Sequence, residues 1–208
     1  MRKSKFILGG IIFIVLLLGC IMWLTFNKNQ NYETSDISQY GEMKNKLKGK
    51  VFSGLDIFPK EIENIETKKN YYMQYGRKNL DYSVQVYLEC EYGEEQFQQE
   101  LERLSKMKET YEKYQLHHFI VKDVENFDYP AYVMIFQNNY TYEYALIDEE
   151  NKKIIYIYLQ HTNYEDLMVD GVYLDKKYKE YMKNGESEIG YNQYGFSSSE
   201  YENKANEQ

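Results

Sequence analysis

Cysteine and histidine are scarce in this chain and positive charge is outnumbered by negative, and each of these removes a class of function. Two cysteines in 208 residues exclude a disulfide framework and the Cys-rich kinds of zinc site. Cys90 lies between Glu89 and Glu91 on the apolar side of an expected strand. Burial and neighbouring negative charge both raise a thiol pKa, so it reads as an inert core thiol rather than a nucleophile. Of the three histidines, His117 and His118 are adjacent and face opposite sides of a strand, while His161 falls past the last strand. A shared metal site is not expected from them. With 25 Lys+Arg against 33 Asp+Glu the net charge is −8, which leaves no basic face for nucleic acid. The motifs GxxxxGK, GxGxxG, HExxH, GxSxG and CxxC are all missing. The acidic clusters at Asp148, Glu149 and Glu150 and at Glu165, Asp166 and Asp170 lack the alternating ligands of a calcium loop and read as solvated turns. No metal, cofactor or catalytic residue is therefore expected, and the chain contains no internal repeat.

What the chain does have is an unusual N-terminus. Arg2, Lys3 and Lys5 precede a run from 6 to 26 that contains no residue charged at neutral pH. As a helix that run reaches about 30 Å, the thickness of a bilayer hydrocarbon core. Its centre, residues 11–18, consists only of Ile, Phe, Val and Leu, and Trp23 lies near its outer end, where an indole suits the membrane–water interface. The positive-inside rule leaves residues 1–5 in the cytoplasm and places 27–208 outside. Three of the positive charges stay behind, so the exported part carries −11. The run is expected to be a transmembrane signal anchor. A lipoprotein signal is the alternative, since Leu17-Leu18-Gly19-Cys20 resembles the bacterial lipobox. That resemblance implies a lipid on Cys20, with Cys20 as the mature N-terminus, and a bacterial cell envelope as the setting. A conventional cleaved signal lacks its small-x-small site, and no GxxxG spacing points to a helix dimer.

Beyond the run, 27–36 is polar and reads as a tether, and 37–50 as a weak helix carrying Met43 and Leu47. Residues 51–182 are expected to form an extracytoplasmic α+β domain, followed by a disordered polar tail over 183–208. Within the domain, 51–58 is expected to run extended, 71–75 is a short aromatic strand and 76–81 a turn. Strict alternation from 84 to 92 marks a half-buried strand with Val84, Val86, Leu88, Cys90 and Tyr92 on one side. After Gly93 the apolar period becomes helical through Phe97, Leu101, Leu104, Tyr111 and Tyr114, which predicts one helix of about 20 residues. Strand-like runs follow at 119–124, 131–137, 140–147 and 154–159, with connections short enough to require antiparallel neighbours. A short helix is expected near 175–182. The sum is an antiparallel β-meander sheet packed on one long α-helix. In element order alone it resembles the cystatin-like and NTF2-like architectures.

Tyrosine, at 24 residues, is the compositional excess. Tyr140, Tyr142 and Tyr144 share one face of one expected strand, and Tyr156 and Tyr158 share one face of the next. Paired strands would make these an aromatic ladder. It either packs under the helix or forms an exposed platform for a peptide, glycan or envelope protein. The expected function is a non-enzymatic, membrane-anchored binding or scaffolding domain whose constant partner is the lipid bilayer. The alternative is an envelope hydrolase using a carboxylate pair, with Glu143 as one acid and no identified second.

Overall fold

The structure is a computed structural model that describes residues 14, 16–19, 31–62, 65, 69–78, 81–107, 111–113, 116–136, 141–162, 166–176 and 179. The chain divides into two compact units, Met1–Tyr32 and Glu33–Gln208. In the first, Ile14 and residues 16–19 are helical.

Eight strands are described: β1 (Tyr32–Thr34), β2 (Lys69–Lys78), β3 (Asp81–Glu91), β4 (Tyr111–Lys113), β5 (Leu116–Asp123), β6 (Ala131–Phe136), β7 (Thr141–Asp148) and β8 (Lys153–Gln160). They form one sheet in the order β1-β2-β3-β8-β7-β6-β5-β4, antiparallel at every pairing from β2 to β4. Among the described residues the sheet is accompanied by the helices α1 (Met43–Leu47) and α2 (Glu94–Lys106), so the fold is an antiparallel sheet with few helices, α+β in kind. The strand before α2 pairs with the last strand of the meander and not with the first. β4 lies five positions from β3, about 24 Å across the sheet at strand spacing. A helix of 13 residues spans about 20 Å and carries the chain most of that way.

Register assigns the side chains to two faces. Val84, Val86, Leu88 and Cys90 of β3 stand on the first face with Tyr156 and Tyr158 of β8 and Glu143 and Ala145 of β7. Tyr87 and Glu89, Tyr142, Tyr144 and Leu146, and Ile155, Ile157 and Leu159 stand on the second. β7 and β8 are buried along almost their whole length, so both faces are covered and their sequences read as near-continuous apolar runs. On the first face the Ile57 N–H bonds Glu143 and Phe58 packs against Tyr156, and Phe97 and Leu104 of α2 and Tyr40, Met43, Leu47 and Leu55 of the N-terminal part of the domain are buried as well. The second is covered by Phe127 and by Val169 and Leu174 of the C-terminal segment. That segment is pinned by polar side chains. Gln85 donates through Nε2 to the Asp166 carbonyl at 2.7 Å and accepts from the Met168 N–H at 2.9 Å, and the Tyr144 hydroxyl donates to the Tyr173 carbonyl at 3.0 Å.

Several expectations need correction. The helix ends at Lys106, where Met107 turns extended (φ −67, ψ 103), and Tyr111 belongs to strand β4 and not to a longer helix. Apolar spacing alone could not separate the two, and an aromatic such as Tyr111 fits an edge strand as well as a helix face. Gly76 and Asp81 lie inside β2 and β3 instead of in a turn. Tyr32–Thr34 is a strand within the expected tether, and 51–58 is irregular, without a strand. The weak helix is a 3-10 turn over Ile37–Glu42 followed by α1, which carries Met43 and Leu47 and buries both. Lys176 and Lys179 are helical, while the rest of 175–182 beyond Asp175 and the whole 183–208 tail lie outside the described residues.

Candidate functional site

The tyrosine ladder does not form. β7 pairs with β8 through Tyr142↔Leu159, Glu143↔Tyr158, Tyr144↔Ile157 and Ala145↔Tyr156. Tyr142 and Tyr144 therefore point to the second face and Tyr156 and Tyr158 to the first. Tyr144, Tyr156 and Tyr158 retain 2%, 0% and 0% of their surface, so these rings are core and not a platform. Tyr140 lies outside the described residues. The reason is register: a shift of one residue between two strands moves a whole side-chain set to the other face, and neither strand's own pattern records it.

The first-face tyrosines instead hold a polar centre. The Tyr156 hydroxyl donates to Glu100 Oε1 at 2.6 Å and lies 2.7 Å from the Tyr92 hydroxyl. Burial first, then the nearby Tyr92 and Glu100, push the Tyr156 phenol well above its usual pKa. Glu100 also takes a two-point grip from Arg103, at 2.6 Å from Nη2 and 2.8 Å from Nε. The same guanidinium donates to the carbonyls of Asp56 and Ile57 at 3.2 and 2.5 Å. One step along the sheet, the Phe52 N–H donates to Tyr158 Oη at 3.2 Å and Gln160 Oε1 at 3.1 Å, and Gln160 Nε2 donates to the Lys50 carbonyl at 2.8 Å. The irregular segment 50–59 is thus held to the sheet by side chains rather than by a ladder.

Glu143 sits beneath that segment and is fully buried. Its Oε1 accepts the Ile57 N–H at 2.9 Å, while Oε2 has no hydrogen-bond partner among the described residues. Burial, only partly offset by the Ser53 hydroxyl and the Ile57 amide, raises the carboxyl pKa to about 7.

Outside this segment lies a cleft of about 620 Å³ between α1, residues 56–61 and α2. Lys44, Lys60, Arg103 and Lys106 line it together with Asp56, Glu61 and Glu100, so its charge is mixed. Glu143 is not part of its wall. Glu100 is committed to Arg103 and Tyr156, which leaves it poorly placed as half of a catalytic carboxylate pair. The i,i+3 spacing of Glu100 and Arg103 was the sequence signal for this cluster. The clamps made by Gln85 and Gln160 had none, because a glutamine on an apolar strand does not announce its partner.

The remaining candidates are placed simply. Cys90 is a buried thiol on the first face. His161 follows β8 directly, with φ +45. Asp148 accepts the Asn151 N–H at 3.1 Å and organises the β7–β8 turn, and Asp170 likewise accepts from Val172 at 3.0 Å. Among the described residues no cluster of His, Cys, Asp and Glu is arranged to hold a metal ion.

In the N-terminal run, Ile14, Leu16, Leu17 and Leu18 are 58, 64, 47 and 54% exposed. At about 100° per residue these four positions spread around the helix rather than along one stripe. No helix among the described residues is long and apolar enough to cross a membrane, and Cys20 with most of 6–26 lies outside them. Comparison with protein-family models, with curated proteins and with solved structures finds no match to this chain.

Proposed function

We propose that the chain is a single-pass, membrane-anchored cell-envelope protein. Its N-terminus stays in the cytoplasm, and its sheet domain stands outside as a binding or scaffolding module. The observation that carries this reading is the uncharged run 6–26 behind Arg2, Lys3 and Lys5. Its four described aliphatic side chains are exposed around the helix, which is costly in water and favourable in lipid. A lipoprotein anchored through Cys20 is the second reading, favoured by the Gly19-Cys20 junction. The expected likeness to cystatin-like and NTF2-like architectures rests on element order alone, and a fold of that kind hosts many functions and names no ligand. The enzyme reading loses ground because Glu143 is sealed in the core, away from any polymer.

Protease added to intact cells is expected to remove the domain and leave the membrane segment behind. Complete protection contradicts export. In the same cells, Cys20→Ser leaves the protein in the membrane if the helix is the anchor. Loss of lipid incorporation and release from the membrane select the lipoprotein instead.

A further inference from the structure

The segment 50–59 combines three features that belong together. It lacks regular structure, although Leu55, Ile57 and Phe58 are buried. It is backbone-strained at Leu55, a side-chain-bearing residue in the left-handed region at φ +55. And it lies over Glu143, a fully buried carboxyl with one bonded and one unpartnered oxygen. We propose that this segment is a pH-sensitive strap, closed over the sheet while Glu143 is protonated and loosened when Glu143 ionises.

The charges around Glu143 make the balance explicit. From the strap itself come the Ile57 N–H and the Ser53 hydroxyl, which favour the anion, and Asp56, which opposes it. From α1 comes Lys44, a weak favourable charge that is drawn to Asp56 at 3.8 Å. From β8 comes the Tyr158 hydroxyl, itself turned to Gln160. None of these reaches Oε2. Ionisation strengthens the Ile57 hydrogen bond, but it leaves a charged oxygen dry, and a buried charge without a partner is the more expensive item. The least costly relief is to let water in beside Oε2. The strap yields first because side-chain bonds hold it, whereas the β7–β8 ladder beneath it is continuous. Asp56 and Pro59 are also walls of the cleft, so proton loss in the core changes the shape of the surface.

The sign is fixed. The folded pKa of Glu143, about 7, lies above its ordinary value of 4.5. Closure is therefore strongest below the ordinary value and is lost as pH rises through the folded one. The test is hydrogen exchange of the full-length protein in lipid nanodiscs, followed by mass spectrometry at pH 5.5 and pH 8 and corrected for intrinsic exchange. Protection of the Phe52 and Ile57 amides should fall on the order of tenfold or more, with β7 and β8 unchanged. Glu143→Gln should abolish the pH dependence. Equal loss in strap and sheet, no loss in the wild type, or the same loss in Glu143→Gln overturns the proposal. Should the Gln variant not fold, the wild-type comparison of strap with sheet decides alone.

Discussion

A tyrosine ring buried on a sheet is useful only if its hydroxyl finds a partner, and in this protein those partners join elements. Tyr156 links β8 to Glu100 of α2 and to Tyr92, and Tyr158 links β8 to the backbone at Phe52. Tyr156→Phe keeps the ring packing against Phe58 but strips a donor from Glu100 and leaves Tyr92 without that neighbour. Unfolding in urea should show a loss of about 1–3 kcal/mol, the usual cost of leaving a buried polar partner unmade. An unchanged midpoint would show the hydroxyl to be incidental. At this scale the sequence was legible wherever one strand carried its own answer. Val84, Val86, Leu88 and Cys90 alternate with more polar neighbours, and all four are fully buried on one face. It was not legible wherever two strands had to be combined. The tyrosines of β7 and β8 form matching patterns, yet the pairing Tyr144↔Ile157 separates them. Glu143 was visible as an oddity on an apolar strand. Its sealing by residues 53–57 depends on contacts 86 positions apart in sequence, at Ile57, which no local pattern contains.

Elements were more legible in kind than in extent. Gly93 followed by Glu94 and Glu95, with Arg103 and Lys106 in the last turn, predicts a helix whose charges suit its dipole, and α2 has that composition. Its end was missed because Tyr111 continued the helical spacing while belonging to β4. The stop of α1 is set by chemistry that can be tested. Gly49 follows it at φ +75 in open space, so an added Cβ meets no neighbour and only the backbone objects. Gly49→Ala should cost about 1 kcal/mol in thermal or urea unfolding, the price of forcing a side-chain-bearing residue into the left-handed region. A cost near zero would mean that the chain relaxes at this position without strain. The segments that cover the sheet, 50–59 on one face and 166–176 on the other, carry few helix or strand signals. They are placed by polar side chains of the sheet, Gln160 and Gln85, and so become apparent only once the sheet exists.

For the molecule as a whole, charge and hydropathy are the informative quantities. The three cations at the start, the uncharged run behind them and an acidic remainder make an asymmetric chain, and that asymmetry is readable without any fold. The sheet domain needs no disulfide, since it buries an apolar core on both faces, and its one described cysteine is a buried thiol. The direct measurement is the intact mass of the protein recovered from the native membrane fraction. A retained signal anchor predicts a chain that begins at the original N-terminus and stays in the pellet through an alkaline carbonate wash. A chain that begins at Cys20 and carries added lipid mass moves the anchor from helix to lipid. An unmodified full-length chain found in the cytosolic fraction contradicts the account.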